Sequence, residues 1–489
     1  MISITTFEVG TVAGSPAAAR SALDAGTISA RLDRLPTTRS VWRLVALLSL
    51  GLFFELYDLM LSGYVMPGLV KGGILSAESV SLSQATSVES FFTLLFSGRA
   101  SFVAALFSGL FLGTIACGFL ADRFGRRAIF TYALIWYSAA TVVMAFQTTA
   151  FGVNLWRFIA GLGIGVEIVT IGTYLTELVP KHLRGRASAF SQAVGFAAVP
   201  AVALISYGLV PAQPLGVDGW RWVVLLGAVG AIAVWWIRRG LPESPRWLAM
   251  KGRLAEADAV LSALEARVRA ESGRDLPEPA AAEPVSGEHR FGDIFSPPYR
   301  RRTMMMIVFH VFQTVAYYGF ASWVPSLLIK QGITVTTSLL YTSIIALAAP
   351  VGPLFGLLIG DRFERKHIIV AMAGTVVVAG LLFSQAGSAP AILAAGIALT
   401  LAGNTISYIY HAYQAELFPT RIRARAVGFV YSWSRFSAIF TAFVIEYLIN
   451  HVGVTGVFAF TSASMAAVMV AIGLFGPRTR DVALERLSQ

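Results

Sequence analysis

The stretch Asp122-Arg-Phe-Gly-Arg-Arg127 returns, slightly altered, as Asp361-Arg-Phe-Glu-Arg-Lys366. A second stretch, Glu177-Leu-Val-Pro-Lys-His-Leu-Arg-Gly-Arg-Ala187, returns as Glu416-Leu-Phe-Pro-Thr-Arg-Ile-Arg-Ala-Arg-Ala426. Both pairs are offset by 239 residues, 122 to 361 and 177 to 416. Two separate motifs held at one offset identify a tandem duplication. The chain around them is apolar, 56% hydrophobic and 13% charged over 489 residues. A duplicated apolar chain with charged hinge loops predicts two membrane bundles that share a site at their interface.

The apolar runs predict an all-α membrane protein of twelve spans. They fall near 44–68, 99–120, 128–147, 152–176, 187–209, 221–237, 304–328, 339–360, 368–386, 390–414, 427–449 and 454–475. Each is close to the roughly 20 residues that a helix needs to cross a bilayer. The domain reading follows: a cytosolic segment 1–43, a six-helix bundle 44–237, a cytosolic linker 238–303, a second bundle 304–476 and a tail 477–489. Within the linker, Leu254–Ala270 has helical spacing and Pro277–Gly287 has the composition of a disordered segment. Ile28–Trp42 mixes apolar and basic residues and predicts an interfacial helix before the first span, with a solvated tail as the alternative. Residues 71–98 form a long outer loop that has room for a short helix.

The net charge of +11 is not spread evenly. Lys and Arg concentrate in the motif loops, the linker and the termini, which the span order puts on one side. This positive-inside bias places both termini in the cytoplasm and argues against a nucleic-acid partner. The partners expected are a small molecule, protons and the lipid bilayer, with the chain acting as a monomer. The first about 40 residues lack the apolar core of a signal peptide. The single cysteine, Cys117, cannot form an internal disulfide. The six histidines do not cluster with ligand spacing, and no Gly-Lys-Ser/Thr phosphate loop occurs. These absences argue against an enzyme and against a cofactor, and leave an ion gradient as the driving force.

Ionisable residues within spans are costly, so each is a functional candidate. Glu55 and Asp58 lie three apart in the first span, on one face. Arg157 in the fourth span, running the other way, can reach the depth of Asp58, and an ion pair would offset the burial of both. Protonating Asp58 would release Arg157, a proton-coupling device; the alternative is a permanent structural pair. Glu55 is a second titratable candidate or a substrate ligand. Glu167, further along the fourth span, suits a proton route, a cation or a structural hydrogen bond. Arg435, within Tyr431-Ser-Trp-Ser-Arg-Phe436, lies about two turns from the cytoplasmic end of the eleventh span. The seventh span offers His310, Gln313, Tyr317, Tyr318 and Trp323, a set that suits a planar ligand stacked on rings. Asn404, Tyr408 and His411 share helical spacing in the tenth span, His411 toward the cytosol. Glu446 lies near the outer end of the eleventh, where it can reach water. Gly109, Gly113, Gly161, Gly163 and Gly165 have the spacing of close helix contacts.

Gly118-x-x-x-Asp122-Arg123-x-Gly125-Arg126-Arg127 resembles the signature loop of the major facilitator superfamily, and Asp361–Lys366 resembles its degenerate copy. In the copy, Glu364 replaces the glycine and the upstream Gly356 is one residue out of register. Arg157-x-x-x-Gly161-x-Gly163-x-Gly165 resembles that superfamily's fourth-span motif. Glu177-x-x-Pro180-x-x-x-Arg184-Gly185 and Pro242-Glu-Ser-Pro-Arg-Trp247 resemble motifs of its sugar-porter and organic-ion branches. The resemblance implies two pseudo-symmetric six-helix bundles and a cytoplasmic gate. Asp122 would face the start of the eleventh span and Asp361 the start of the fifth. Glu177 and Glu416 would pair with nearby arginines, and the gate would include Arg123, Arg126, Arg127, Arg184, Arg362, Arg365 and Arg423. Proton-linked sugar porters carry Tyr-Asp in the first span and Arg at the head of the fourth-span motif, as Tyr57-Asp58 and Arg157 do here. The usual paired sugar-binding amides of the seventh span are missing, and organic-anion carriers have an Arg at the position of Arg435. The chain therefore resembles the metabolite:proton symporter branch. The function implied is proton-coupled symport of a small organic anion across an inner membrane, with Arg435, Gln313, Tyr317, Tyr318, Glu167 and Asn404 binding substrate. A sugar or polyol symporter, an exporter, and a membrane sensor that has lost transport stay open as alternatives.

Overall fold

The computed structural model describes residues 24–76, 98–238, 240–279, 291–360, 362–418 and 420–479. Asp361, most of the loop expected over 71–98 and most of Pro277–Gly287 lie outside the described residues, as does the side chain of Asp122.

A short helix α1 (Ala25–Asp33) precedes α2 (Arg39–Lys71), α3 (Arg99–Phe124), α4 (Arg126–Ala145) and α5 (Ala150–Leu178). The next span is broken into α6 (Arg184–Phe196) and α7 (Ala198–Leu209), and α8 (Gly219–Arg238) completes the first half. The linker supplies α9 (Pro245–Met250) and α10 (Leu254–Ser272). The second half runs α11 (Pro297–Ala321), α12 (Val324–Lys330), α13 (Val335–Ala346), α14 (Val351–Gly360), α15 (Arg365–Gln385), α16 (Ala389–Glu416), α17 (Thr420–His451) and α18 (Val454–Phe475). Counting α6–α7, α11–α12 and α13–α14 as one span each, twelve apolar helical segments cross the molecule. Each of these three is interrupted near a proline, at Pro200, Pro325 and Pro350, where the ring removes an intrahelical N–H donor. The sequence reading had each of them as one continuous helix.

The duplication is visible in the packing. In the first half α3 and α4 pack on α5, α8 packs on α2 and α4, and α2 packs on α6 and α7. In the second half the equivalent elements repeat these pairings: α14 and α15 on α16, α18 on α11 and α15, α11 on α17. The seam between the halves obeys the same two-fold relation, with α17 against α3 and α13–α14 against α6–α7. Near the axis α12 meets α2, and Gly63 makes this contact possible. A Cβ there would lie 2.6 Å from the Ser322 carbonyl oxygen. Gly109 and Gly113 work alike between α3 and α5, where a Cβ would lie 2.2 Å from the carbonyl oxygens of Phe158 and Leu162.

The linker end of the molecule corrects one expectation. The segment Ile28–Trp42 is not one helix: α1 ends at Asp33 and α2 begins at Arg39. Ile28, Leu32 and Leu35 are fully buried, and α1 packs against α9 and α10. Arg31 bonds Asp258 at 2.6 Å and Glu265 at 2.7 Å, Arg34 bonds Glu265 at 2.7 Å, and the Ser40 hydroxyl donates to Glu271. Complementary charges on α10 thus draw the apolar face of α1 onto the linker. Asp33 continues the contact, accepting from Arg246 at 2.7 Å and from the Lys181 backbone at 2.9 Å.

Candidate functional site

Asp58 and Arg157 meet in the middle of the first half. Arg157 donates from Nη1 to Asp58 Oδ2 at 2.9 Å and from Nη2 to the Asp58 carbonyl at 2.5 Å. Its Nε and Nη2 also reach the Ser62 hydroxyl, and its guanidinium lies 5.4 Å from the Phe102 ring. Thr141 on α4 donates to the other carboxylate oxygen at 3.3 Å. Both members are nearly inaccessible, Arg157 at 0% and Asp58 at 4% exposure. Removing one member of such a buried pair leaves an uncompensated charge, a loss of about 3–5 kcal/mol.

Between the halves lies a cavity that opens partly to solvent; with that open space included it measures about 680 Å³. Met60 and Tyr64 on α2 and Val199 on α7 form one wall; Gln313, Tyr317, Phe320 and Asn404 stand on the opposite one. The Tyr317 hydroxyl donates to Asn404 Oδ1 at 3.1 Å, and Asn404 Nδ2 donates to the Thr400 carbonyl at 2.8 Å. Of the expected substrate ligands, Gln313, Tyr317 and Asn404 line this cavity; Arg435, Tyr318 and Glu167 do not.

Arg435 heads a separate cluster beside it. The side chain is 1% exposed and donates to two phenol oxygens, Tyr318 at 2.6 Å and Tyr431 at 2.7 Å. It makes no ion pair among the described residues, and its Nε has no hydrogen-bond partner among them. Tyr318 packs edge-on against Phe107 of the other half and against Tyr317 of the cavity wall, linking cluster and cavity. His310 completes the cluster, 5.5 Å from the Tyr431 ring and 5.3 Å from the Tyr410 ring. Its Nε2 meets Gln414 Oε1 at 3.0 Å. Glu55 is fully buried within electrostatic reach of Tyr431. Asp58 is thus paired within the first half, while Glu55 lies close enough to Tyr431 of the second half to act on it electrostatically. Glu167 is buried on α5, about 15 Å along the helix from Arg157.

At the linker end, Arg126 Nε pairs with Glu177 at 3.3 Å and Arg365 pairs with Glu416 at 3.1 Å. The equivalent contact is thus made in both halves. Arg184 faces Asp33 instead, at 3.9 Å, and Arg423 donates to the Phe418 carbonyl. Arg123 is exposed over the Phe124 ring, and Arg362 is exposed. The backbone N–H groups of Arg126 and Arg127, which open α4, donate to the Glu243 carboxylate at 3.0 and 3.1 Å. A carboxylate there satisfies orphan donors and opposes the positive end of the helix. Glu243 comes from the Pro242-Glu-Ser-Pro-Arg-Trp247 motif, so the linker clamps the start of α4.

The far end has a clamp of its own, and it corrects the expectation that Glu446 reaches water. Glu446 is 6% exposed and accepts from the backbone N–H groups of Arg99 and Ala100 at 3.0 Å each, and from Arg99 Nε at 3.3 Å. Arg99 also reaches Asn450 at 3.1 Å and lies 5.8 Å from the ring of Trp323, itself buried. A carboxylate on α17 of the second half thus holds the N-terminus of α3 in the first. Sequence reasoning had no role for Gln414 or Glu243 and read His310 only as one of several polar groups. A signal was present for the histidine and the glutamine, since each is a polar residue inside an apolar span. Their pairing between α11 and α16 is tertiary.

Comparisons with known proteins agree with this architecture. Residues 44–489 match the family model for "Sugar (and other) transporter". The Bacillus subtilis (strain 168) protein YyaJ, whose name assigns it to metabolite transport without a substrate, is 32% identical over 454 residues, 92% of this chain and 95% of its own. The Acinetobacter baylyi niacin transporter NiaP is 28% identical over 94% of this chain and 98% of its own. Among solved structures, a partially occluded inward-open conformation of the xylose transporter XylE from E. coli superposes with a TM-score of 0.71. It covers 91% of this chain and 100% of that one at 18% identity, a likeness of fold.

Proposed function

Because the chain belongs to the sugar (and other) transporter family and is a multi-pass membrane transporter of the major facilitator fold, we propose that it carries a small organic anion together with a proton. The observation that carries this reading is Arg435, a buried guanidinium in contact with phenols and with no carboxylate partner among the described residues. A buried cation favours an anion arriving from solution, and a phenol that accepts from arginine keeps its own hydrogen for that anion. The aromatic surround of Tyr317, Tyr318 and Tyr431 suits a planar carboxylate.

Asp58 is the proton carrier in this reading. Protonation removes the charge that holds Arg157, and the four hydrogen bonds between Arg157 and the residues of α2 support a switch at that point. The bundles 44–237 and 304–476 rock about the seam. Release of the Arg126–Glu177 and Arg365–Glu416 contacts opens the linker end, and release of Glu446 from α3 opens the far end. The linker end is cytoplasmic, in accord with its arginines, and the membrane is a bacterial inner membrane. One proton carried with one monovalent anion moves no net charge, so the pH difference drives uptake, about 1.4 kcal/mol per pH unit.

Purified protein in liposomes tests this directly. Aromatic carboxylates should accumulate against their gradient when the lumen is alkaline, and a protonophore should abolish the accumulation. A second reading, sugar or polyol transport, is favoured by the amides Gln313 and Asn404 on the cavity wall. Uptake of a neutral sugar with no carboxylate uptake would select it.

A further inference from the structure

Two polar atoms in the Arg435 cluster lack a hydrogen-bond partner among the described residues, Nε of Arg435 and Nδ1 of His310. Both side chains are almost inaccessible, at 1% and 0% exposure, and both pack on Tyr431. A buried polar atom without a partner costs roughly 1–3 kcal/mol, so a pair of them in one cluster calls for an occupant. The neighbouring His411 shows the contrast: its Nδ1 lies 2.5 Å from the Ser407 carbonyl, four residues back in its own helix.

The chemistry of the His310 atom follows from the opposite side of its ring. With Gln414 turning its amide oxygen to Nε2, Nε2 carries the hydrogen. Nδ1 then presents a lone pair. Arg435 Nε presents an N–H. The cluster therefore offers one donor of positive charge and one neutral acceptor. The groups around His310 are Tyr410, His411 and Gln414 on α16 and Tyr431 and Arg435 on α17, with Glu55 reaching Tyr431 from α2. The only carboxylate among these belongs to the other half.

We propose that His310 is a substrate-binding, specificity-determining residue, whose Nδ1 accepts from an O–H or N–H group on an organic anion held by Arg435. The inference rests on the organic-anion reading above and narrows it to carboxylates that also carry a hydrogen-bond donor. Such a site discriminates strongly, because a ligand without the donor leaves the buried nitrogen empty.

Detergent-purified full-length protein is titrated with benzoate, the three ring hydroxybenzoates and their methoxy counterparts. At least one hydroxybenzoate should bind about tenfold more tightly than its methoxy counterpart, the size expected of one hydrogen bond to a buried acceptor. His310→Phe should bring that ratio to about one. His310→Gln, which keeps a polar group toward Gln414, is the variant of record if His310→Phe does not fold, and should lower the ratio in the same sense. An unchanged ratio in the variants, or no hydroxyl preference in the wild type, would overturn the assignment of His310 while leaving anion binding intact. Failure of every carboxylate to bind the wild type would overturn the organic-anion reading and this inference together.

Discussion

Arg157 and Arg435 are two arginines buried to the same degree in the two halves of one molecule, yet they are satisfied in opposite ways. Arg157 has a carboxylate, a carbonyl and a serine hydroxyl of α2 around it. Arg435 has two phenols and one nitrogen left over. The first arrangement is closed and neutral within the protein. The second is positive and incomplete. A guanidinium neutralised by its own chain can hold structure or respond to a proton, whereas one left without an anion is suited to bind one.

The largest effect should come from opening the closed arrangement. Arg157→Met leaves Asp58 buried without its cation and should lower stability by about 3–5 kcal/mol, read as a large fall in melting temperature. Asp58→Asn leaves Arg157 its bonds to the Asp58 backbone and Ser62. It should abolish uphill accumulation and keep counterflow; accumulation at the wild-type level would break the contrast drawn here. Arg435→Met should behave in the reverse manner. Loss of a hydrogen bond to a charged group is about 1.5–3 kcal/mol, or roughly ten- to a hundredfold in anion affinity, with little loss of melting temperature because no carboxylate is stranded. Equal weakening of neutral and anionic ligands would instead make Arg435 structural.

Smaller effects are expected at the two ends. Glu446→Gln removes the charge that caps α3 and should weaken the far-end clamp by about 1 kcal/mol. Labelling of an engineered cysteine at that end should rise. Arg31→Ala at the linker end should change stability least, by about 0.2–1 kcal/mol, since the contact is partly solvated. Burial alone would raise the Glu265 carboxyl, but the bonds from Arg31 and Arg34 outweigh it and hold the group below its ordinary 4.5. A depressed carboxylate stabilises the fold fully above the ordinary value and loses that contribution as pH falls below it. Proteolysis of the linker should therefore accelerate below about pH 4.5 in wild type, and less so in Arg31→Ala.

Much of the fold was legible because a bilayer imposes a simple rule on sequence. Twelve continuous apolar runs of about 20 residues had to be helices, since a helix satisfies its backbone within the segment while the strands of a membrane barrel are about half as long and alternate in polarity. The repeat at 122 and 361 identified the two halves for the same reason that their helices pair alike. The site was legible in parts. Asp58 and Arg157 were candidates because charges in apolar spans are rare, and their opposite signs and similar depth made them partners. The three helix breaks were harder to read, because prolines are common in spans and only some of them interrupt the helix. The linker contact of α1 was misread, since an amphipathic segment has the same pattern whether its apolar face meets lipid or protein.

The sequence by itself determined the number of spans, the duplication and the list of buried charges, because each depends on composition along a line. Only the tertiary structure decided which charge meets which. Glu55 and Asp58 sit one turn apart on α2, yet Asp58 pairs with Arg157 within its own half while Glu55 lies within electrostatic reach of Tyr431 in the other. Arg435 was expected among the cavity ligands and stands beside that cavity, against Tyr318 and Tyr431. Helical period fixes the direction of a side chain about its own axis, while its partner depends on how neighbouring helices are rotated and packed. That rotation is set by contacts distributed over the whole seam, and no local stretch of sequence records it.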